Sequence, residues 1–187
     1  MKNEGKRFEE DFKKSVPDYV LVHRLPDPPQ SFDKAKSKKS GIRFSRKNPF
    51  DYILWDSQRK RLFALELKTV QDNSISFERT KEEHGKIHYH QIIGLNEWNK
   101  YDGVVGGLVV EFRKSQTTIF IDIGTFNKLS ELITKKSFNI DDLNKNALPY
   151  LVIPQEKKRT RYLYDIEYFL NGILEEEHEE GRNRTEN

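Results

Sequence analysis

No cysteine occurs in this chain, so neither a disulfide nor a thiolate metal site can form. No apolar run approaches membrane-spanning length and no signal-peptide pattern opens the sequence, which predicts a soluble, cytoplasmic protein. No glycine-rich phosphate loop is present, which argues against an ATPase or a dinucleotide-binding enzyme, and no internal repeat is visible. What the chain has is charge. Residues 175–187 hold six acids against two arginines, so the body before them carries a net +7 where the whole chain carries +3. A basic body suits a polyanionic partner. The 187 residues, 35% hydrophobic and 12% aromatic, are enough for one domain with a real core. That domain is expected to span 1–174, followed by an acidic, disordered tail over 175–187.

The stretch Asp51 to Lys68 carries the chemistry. Two short apolar runs, Tyr52 to Trp55 and Leu62 to Val70, flank a polar turn and predict a β-hairpin. Alternation along the second strand puts Leu62, Ala64, Glu66 and Lys68 on one face and Phe63, Leu65 and Leu67 on the other. A carboxylate and an ammonium two residues apart among leucines are costly to bury unpartnered. Asp51 at the head of the neighbouring strand can join Glu66 around a divalent cation, with Lys68 beside it to orient a water or balance phosphate charge. From this stretch alone, an outward-facing ion pair on an ordinary strand accounts for Glu66 and Lys68 as well.

Residues 5–16 predict a helix with Phe8, Phe12 and Val16 inward and Glu10 and Asp11 outward, stopped by Pro17. Glu9 lies beside the inward stripe, either as a solvated acid favourable to the helix dipole or as a third carboxylate near the cation. Tyr19 to Leu25 predicts a strand, ended by Pro26, Pro28 and Pro29. From Ser31 the composition shifts. Lys34, Lys36, Lys38, Lys39, Arg43, Arg46 and Lys47 stand against one acid, Asp33, with little but Phe32, Ile42 and Phe44 to bury. Residues 26–48 therefore read as a basic arm projecting from the domain to contact phosphates, with a disordered linker as the alternative.

Lys81 to Lys100 predicts a mostly helical segment whose apolar stripe includes the polar Gln91, placed to hold a phosphate, a water or one of the acids. His84, His88 and His90 invite a zinc reading, but two-residue spacing on a helix points side chains apart. Val104 to Phe112 and Thr117 to Ile123 predict a second strand pair, with Gly106 and Gly107 marking a bulge or a close approach of another backbone. An amphipathic helix over Thr125 to Lys136 follows, then a short segment capped by Ser137 and an apolar run from Leu148 to Ile153.

The Asp, hairpin and Glu-x-Lys arrangement resembles the PD-(D/E)xK nuclease core. The ordered set of segments resembles, more narrowly, the RecU family of Holliday junction resolvases of Gram-positive bacteria and their phages. GKRFE, HRLPDPP, Asp51-Tyr52, Glu66-Leu67-Lys68, Ser76-Phe77, His90-Gln91, GGLVVEF and LPYLVIP fall in that family's order across nearly the whole chain before the acidic tail. The resemblance implies an α/β fold with a restriction-endonuclease-like core: a central mixed β-sheet flanked by helices, with a projecting basic stalk. It implies Asp51 and Glu66 as metal ligands for Mg²⁺ or Mn²⁺, Lys68 as the water- or phosphate-positioning lysine, Glu9 as an additional active-site acid and Gln91 beside them. It also implies a homodimer acting on a four-way DNA junction. Asn48-Pro49-Phe50 stands where the family has small hydroxyl residues, and the arm is shorter. The basic N-terminal extension of many cellular members has no counterpart, pointing to a phage or mobile-element origin.

The function expected is structure-selective, metal-dependent cleavage of branched DNA in recombination and repair, with no membrane partner. A nuclease of the same core that cuts linear duplex, or a DNA-binding recombination factor without catalysis, are the alternatives.

Overall fold

The computed structural model describes residues 4–26 and 47–173. The arm cations Lys34, Lys36, Lys38, Lys39, Arg43 and Arg46, and the tail over 175–187, lie outside the described residues.

The chain opens with α1 (Glu4–Lys14) and β1 (Val20–Arg24), then enters the hairpin β2 (Tyr52–Asp56) and β3 (Arg61–Val70). The bridge strand β4 (Ile75–Ser76) and helix α2 (Tyr89–Trp98) cross to β5 (Val104–Phe112), which turns into β6 (Thr117–Asp122). There follow α3 (Ile123–Leu132), β7 (Ser137–Phe138), α4 (Ile140–Lys145), β8 (Leu151–Ile153) and the hairpin β9 (Gln155–Lys158) and β10 (Arg161–Tyr164). Residues 166–173 are helical.

Six strands form one mixed sheet in the order β1-β2-β3-β5-β6-β8. Among the described strands of this sheet, β3 and β5 alone run parallel, over a register from Leu62↔Val104 to Val70↔Phe112. Parallel neighbours need a long crossover, and α2 supplies it. The expected α/β architecture, a central mixed sheet flanked by helices, is therefore present. Two apolar layers cover the sheet. Ala64, Leu108, Val110 and Ile121 pack with Ile92, Leu95, Phe126 and Leu129 of α2 and α3. On the other face Phe63, Leu65 and Leu67 pack with Phe8 and Phe12 of α1 and with Tyr164 and Phe169. The strand alternation expected in β3 is thus real, but both faces are buried. Among the described residues, no helix is long and apolar enough to cross a membrane.

Several local expectations give way to tertiary contacts. Asp11 does not face solvent; it is 3% exposed, because the β9–β10 hairpin covers it. Its carboxylate accepts the Tyr162 N–H at 3.1 Å and pairs with Arg161 at 3.1 Å. The helix expected from Lys81 begins only at Tyr89, and α3 stops at Leu132, short of Lys136. Ser137 lies in β7 rather than at a cap; Asn139 caps α4 by accepting the Asp142 N–H at 3.0 Å. At Gly106 and Gly107 the close approach is realised and the ladder runs unbroken: a Cβ on Gly106 would stand 2.9 Å from the Leu95 carbonyl oxygen, and one on Gly107 would enter the Phe120 ring.

Candidate active site

Strand β3 is central in the sheet and covered by an apolar layer on each face, so a side chain at its middle has no route to bulk water unless it reaches a sheet end. Glu66 sits there with 0% exposure. One carboxylate oxygen, Oε1, meets the Lys68 ammonium at 2.6 Å and accepts from the Gln91 side-chain amide at 2.5 Å. The other, Oε2, is buried and has no hydrogen-bond partner. Burial pushes the Glu66 carboxyl up to about 8; the negative charge of Asp51 adds to this, and Lys68 opposes it without cancelling it. The polar residue on the sheet-facing side of α2 therefore serves one of the acids. Its other end is also used, since the Gln91 side-chain oxygen accepts the His88 N–H at 2.9 Å and closes the first turn of α2.

Asp51 precedes β2. Its backbone N–H donates to the Leu65 carbonyl at 3.2 Å and its carbonyl accepts from Leu25 at 2.8 Å, so its Cα is tied to strands on either side. Its carboxylate accepts the Leu67 N–H at 3.1 Å. The preceding Asn48-Pro49-Phe50 acts as an anchor. Phe50 packs edge-on against Trp98 of α2 at 5.0 Å between centroids, and Pro49 lies against Gly94, where a Cβ would come within 2.5 Å of it. One helix thereby holds both Gln91 and the chain leading into Asp51.

Where β3 leaves the sheet, a cleft of about 470 Å³ opens between α1 and the loop before α2. Glu9, Arg24, Asp51, Lys68, Lys86 and Arg113 line it. Glu9 faces this cleft but is engaged by Arg24, whose Nε donates to it at 2.7 Å. Burial, with the charges of Glu9 and Asp51, pushes the Tyr52 phenol up to about 12, so it stays a neutral hydroxyl at neutral pH. The structure thus gathers Asp51, Glu66, Lys68 and Gln91 at one place, with Glu9 across the cleft. Of the arm cations only Lys47 is described; it is exposed, and after burial its charge is the largest influence lowering the His90 pKa.

The histidines are not arranged as expected. His88 lies just outside α2, and its ring stacks on that of His90 at 5.5 Å rather than pointing away. The His88 ring pairs with Glu78 at 2.8 Å, and Glu78 also accepts from the N–H groups of Tyr89 at 2.8 Å and Gly85 at 3.2 Å. Burial opposes ionisation of Glu78, but these donors win and hold its pKa down to about 2. Among the described residues, no group of three or more His, Asp or Glu side chains is arranged to hold a metal by itself.

A hard cation nevertheless fits. Mg²⁺ binds through one or two carboxylates and keeps its remaining positions for waters and phosphate oxygens. Glu66 Oε2 and the nearby Asp51 carboxylate would supply such a donor set, and all-oxygen ligands suit Mg²⁺ or Mn²⁺ better than zinc. Arg24, Lys86 and Arg113 are site residues that the sequence pattern did not single out. Each enters the cleft from a different segment, and the only local signal is a cation at the end of a strand or in a polar turn.

No protein-family model and no curated protein matches the chain. Among solved structures it is similar to the 1.6 Å resolution structure of Archaeoglobus fulgidus Hjc, a Holliday junction resolvase from an archaeal hyperthermophile, at 13% identity and a TM-score of 0.44, covering 75% of this chain and 93% of that one.

Proposed function

We propose that the protein is a metal-dependent endonuclease of the PD-(D/E)xK type that hydrolyses phosphodiesters of branched DNA and resolves four-way junctions. The observation that carries this reading is Glu66: a fully buried carboxyl group with one oxygen committed to Lys68 and Gln91 and the other without a hydrogen-bond donor, close enough to Asp51 to feel its charge, where Asp51 and Lys68 line a cleft shared with Arg24, Lys86 and Arg113. An ordinary strand ion pair would not set a second carboxylate, Asp51, against the buried acid.

Asp51 and Glu66 would hold Mg²⁺ or Mn²⁺, which supplies Lewis-acid polarisation of the phosphate and a water acidic enough to attack at neutral pH. The chain's own groups do the rest. Lys68 neutralises charge that develops on the phosphate and fixes the Glu66 oxygen it touches. Gln91 holds the same oxygen from the helix side, so Glu66 cannot rotate its free oxygen away. Lys86 and Arg113 attract and align the strand. The reading extends to a homodimer on a four-way junction, with the basic segment 26–48 reaching phosphates at the branch point.

The test is cleavage of a mobile four-way junction and a matched linear duplex with Mg²⁺. Wild type should cut the junction in preference to the duplex. Asp51→Asn and Glu66→Gln should each lose at least about a hundredfold in rate while still binding DNA, since amides keep the shape but weaken cation binding. Undiminished cutting by either variant would remove the site assignment. Equal cutting of both DNAs would make the protein a duplex nuclease instead.

A further inference from the structure

Among the described residues, two buried side-chain nitrogen or oxygen atoms lack a hydrogen-bond partner: Glu66 Oε2 and Arg113 Nε. The first is a carboxylate oxygen suited to a cation; the second is a guanidinium N–H suited to an acceptor. Arg113 follows β5, where its backbone N–H donates to the Val70 carbonyl at 2.9 Å, so its Cα is fixed relative to the strand carrying Glu66. Its side chain borders the cleft above Asp51 and Lys68, and it also borders a second, adjoining cavity of about 260 Å³ whose basic walls are Arg7, Arg113 and Lys157.

Three acids share this second cavity, and two are already committed. Asp11 is held by Arg161 and by the Tyr162 N–H, and Glu111 accepts from the Tyr164 hydroxyl at 3.0 Å and the Thr69 hydroxyl at 2.5 Å. The third, Glu4, is partly exposed at the rim and reaches both Arg113 at 3.2 Å and Arg7 at 3.7 Å. A partly exposed carboxylate thus pairs with two guanidinium groups, one of which has a buried N–H without an acceptor. That is the environment of an oxyanion with more acceptor oxygens than a carboxylate has.

We infer that Arg113, with Arg7 and Lys157, forms a second phosphate-binding subsite that seats a backbone phosphate of the DNA strand adjacent to the one cleaved, with Glu4 as the resident carboxylate it displaces. The inference rests on the nuclease reading for the identity of the strand, and it adds a position where that strand is gripped. Because both cavities meet at Glu4 and Arg113, a strand leaving the Asp51 cleft passes directly into the second one.

The experiment is anisotropy of a fluorescein-labelled DNA duplex titrated with full-length protein over a range of salt, in chelator so that nothing is cut. Arg113→Gln should weaken binding by about tenfold near physiological salt and make the log–log salt slope shallower by about 0.9, the loss of one phosphate contact. Glu4→Gln should do the opposite and tighten binding severalfold, because it removes the competitor. Melting curves accompany both variants. A folded Arg113→Gln protein with unchanged affinity and slope would overturn the proposal, as would weaker binding by Glu4→Gln, which would make the Glu4–Arg113 pair a structural prop. In a parallel arm, inorganic phosphate that raises the melting temperature through Arg113, with both DNA titrations unmoved, would make the cavity a free-anion site and also overturn it. The nuclease reading fails separately, by an absence of Mg²⁺-dependent cutting in wild type with these binding shifts intact.

Discussion

A buried carboxyl group such as Glu66 would couple stability to the binding of a cation. Its ordinary pKa of 4.5 is raised to about 8 in the fold. Between those values the folded chain keeps a proton that the unfolded chain has released, so this contribution to stability is fully present below about pH 4.5. It falls as pH rises through the interval and levels off above about 8. A cation at Oε2 would stabilise the ionised form and remove the loss. In chelator, the melting temperature should therefore decline across this interval, and Mg²⁺ should raise it most at the upper end. Glu66→Gln carries no such proton, so its melting temperature should fall less with pH and respond little to Mg²⁺. A variant that tracked wild type in both respects would show that Glu66 is neither the titrating group nor a cation ligand. Lys68 belongs to the same cluster in a different role: Lys68→Ala should cut far more slowly even in saturating metal, because it leaves both acids in place.

At the scale of elements, the site depends on α2 staying against the chain that leads into Asp51. In an exposed helix, Gly94→Ala would stabilise by about 1 kcal/mol through propensity. Here the added Cβ meets Pro49 Cβ at 2.5 Å, its carbonyl oxygen at 2.6 Å and its Cα at 2.8 Å, and two of those atoms are backbone that cannot swing aside. The clash decides the sign. Gly94→Ala should lose about 1–3 kcal/mol in denaturant melts and lower the cleavage rate, since Gln91 and Asp51 both move with this contact. Unchanged stability would mean that α2 shifts freely. The same elements show what the sequence could reveal. Strand β5 was legible to its end residues because a continuous apolar run, buried on both faces, is a local signal, and the closeness of Asp51, Glu66 and Lys68 was legible because one hairpin carries all three. The start of α2 was not: residues 81–88 have helical spacing on paper, but Glu78 draws the N–H groups of Gly85 and Tyr89 and the His88 ring into a polar turn. Asp11 and Arg113 escaped notice for a related reason, because their partners lie more than a hundred residues away in sequence.

At the scale of the whole molecule, one chain carries one set of Asp51, Glu66 and Lys68. Resolution of a four-way junction requires two strands of like polarity to be cut, and one site would have to release and rebind between cuts. Two copies related by a two-fold axis place identical sites on the two symmetry-related strands, because a closed symmetric dimer matches the symmetry of the junction. The expected outcome is that the protein sediments as a dimer and that both incisions occur within the lifetime of one complex on a cruciform plasmid, giving linear product with little nicked circle. Mixing wild type with an excess of Asp51→Asn protein and allowing subunits to exchange should change this pattern. Heterodimers keep one working site, so nicked circles should accumulate while total binding is unchanged. If linear product persists in proportion to the wild-type protein present, with no rise in nicks, each chain cuts on its own and the dimer is not the resolving unit. A protein that sediments as a monomer while making paired cuts would lead to the same conclusion from the opposite direction.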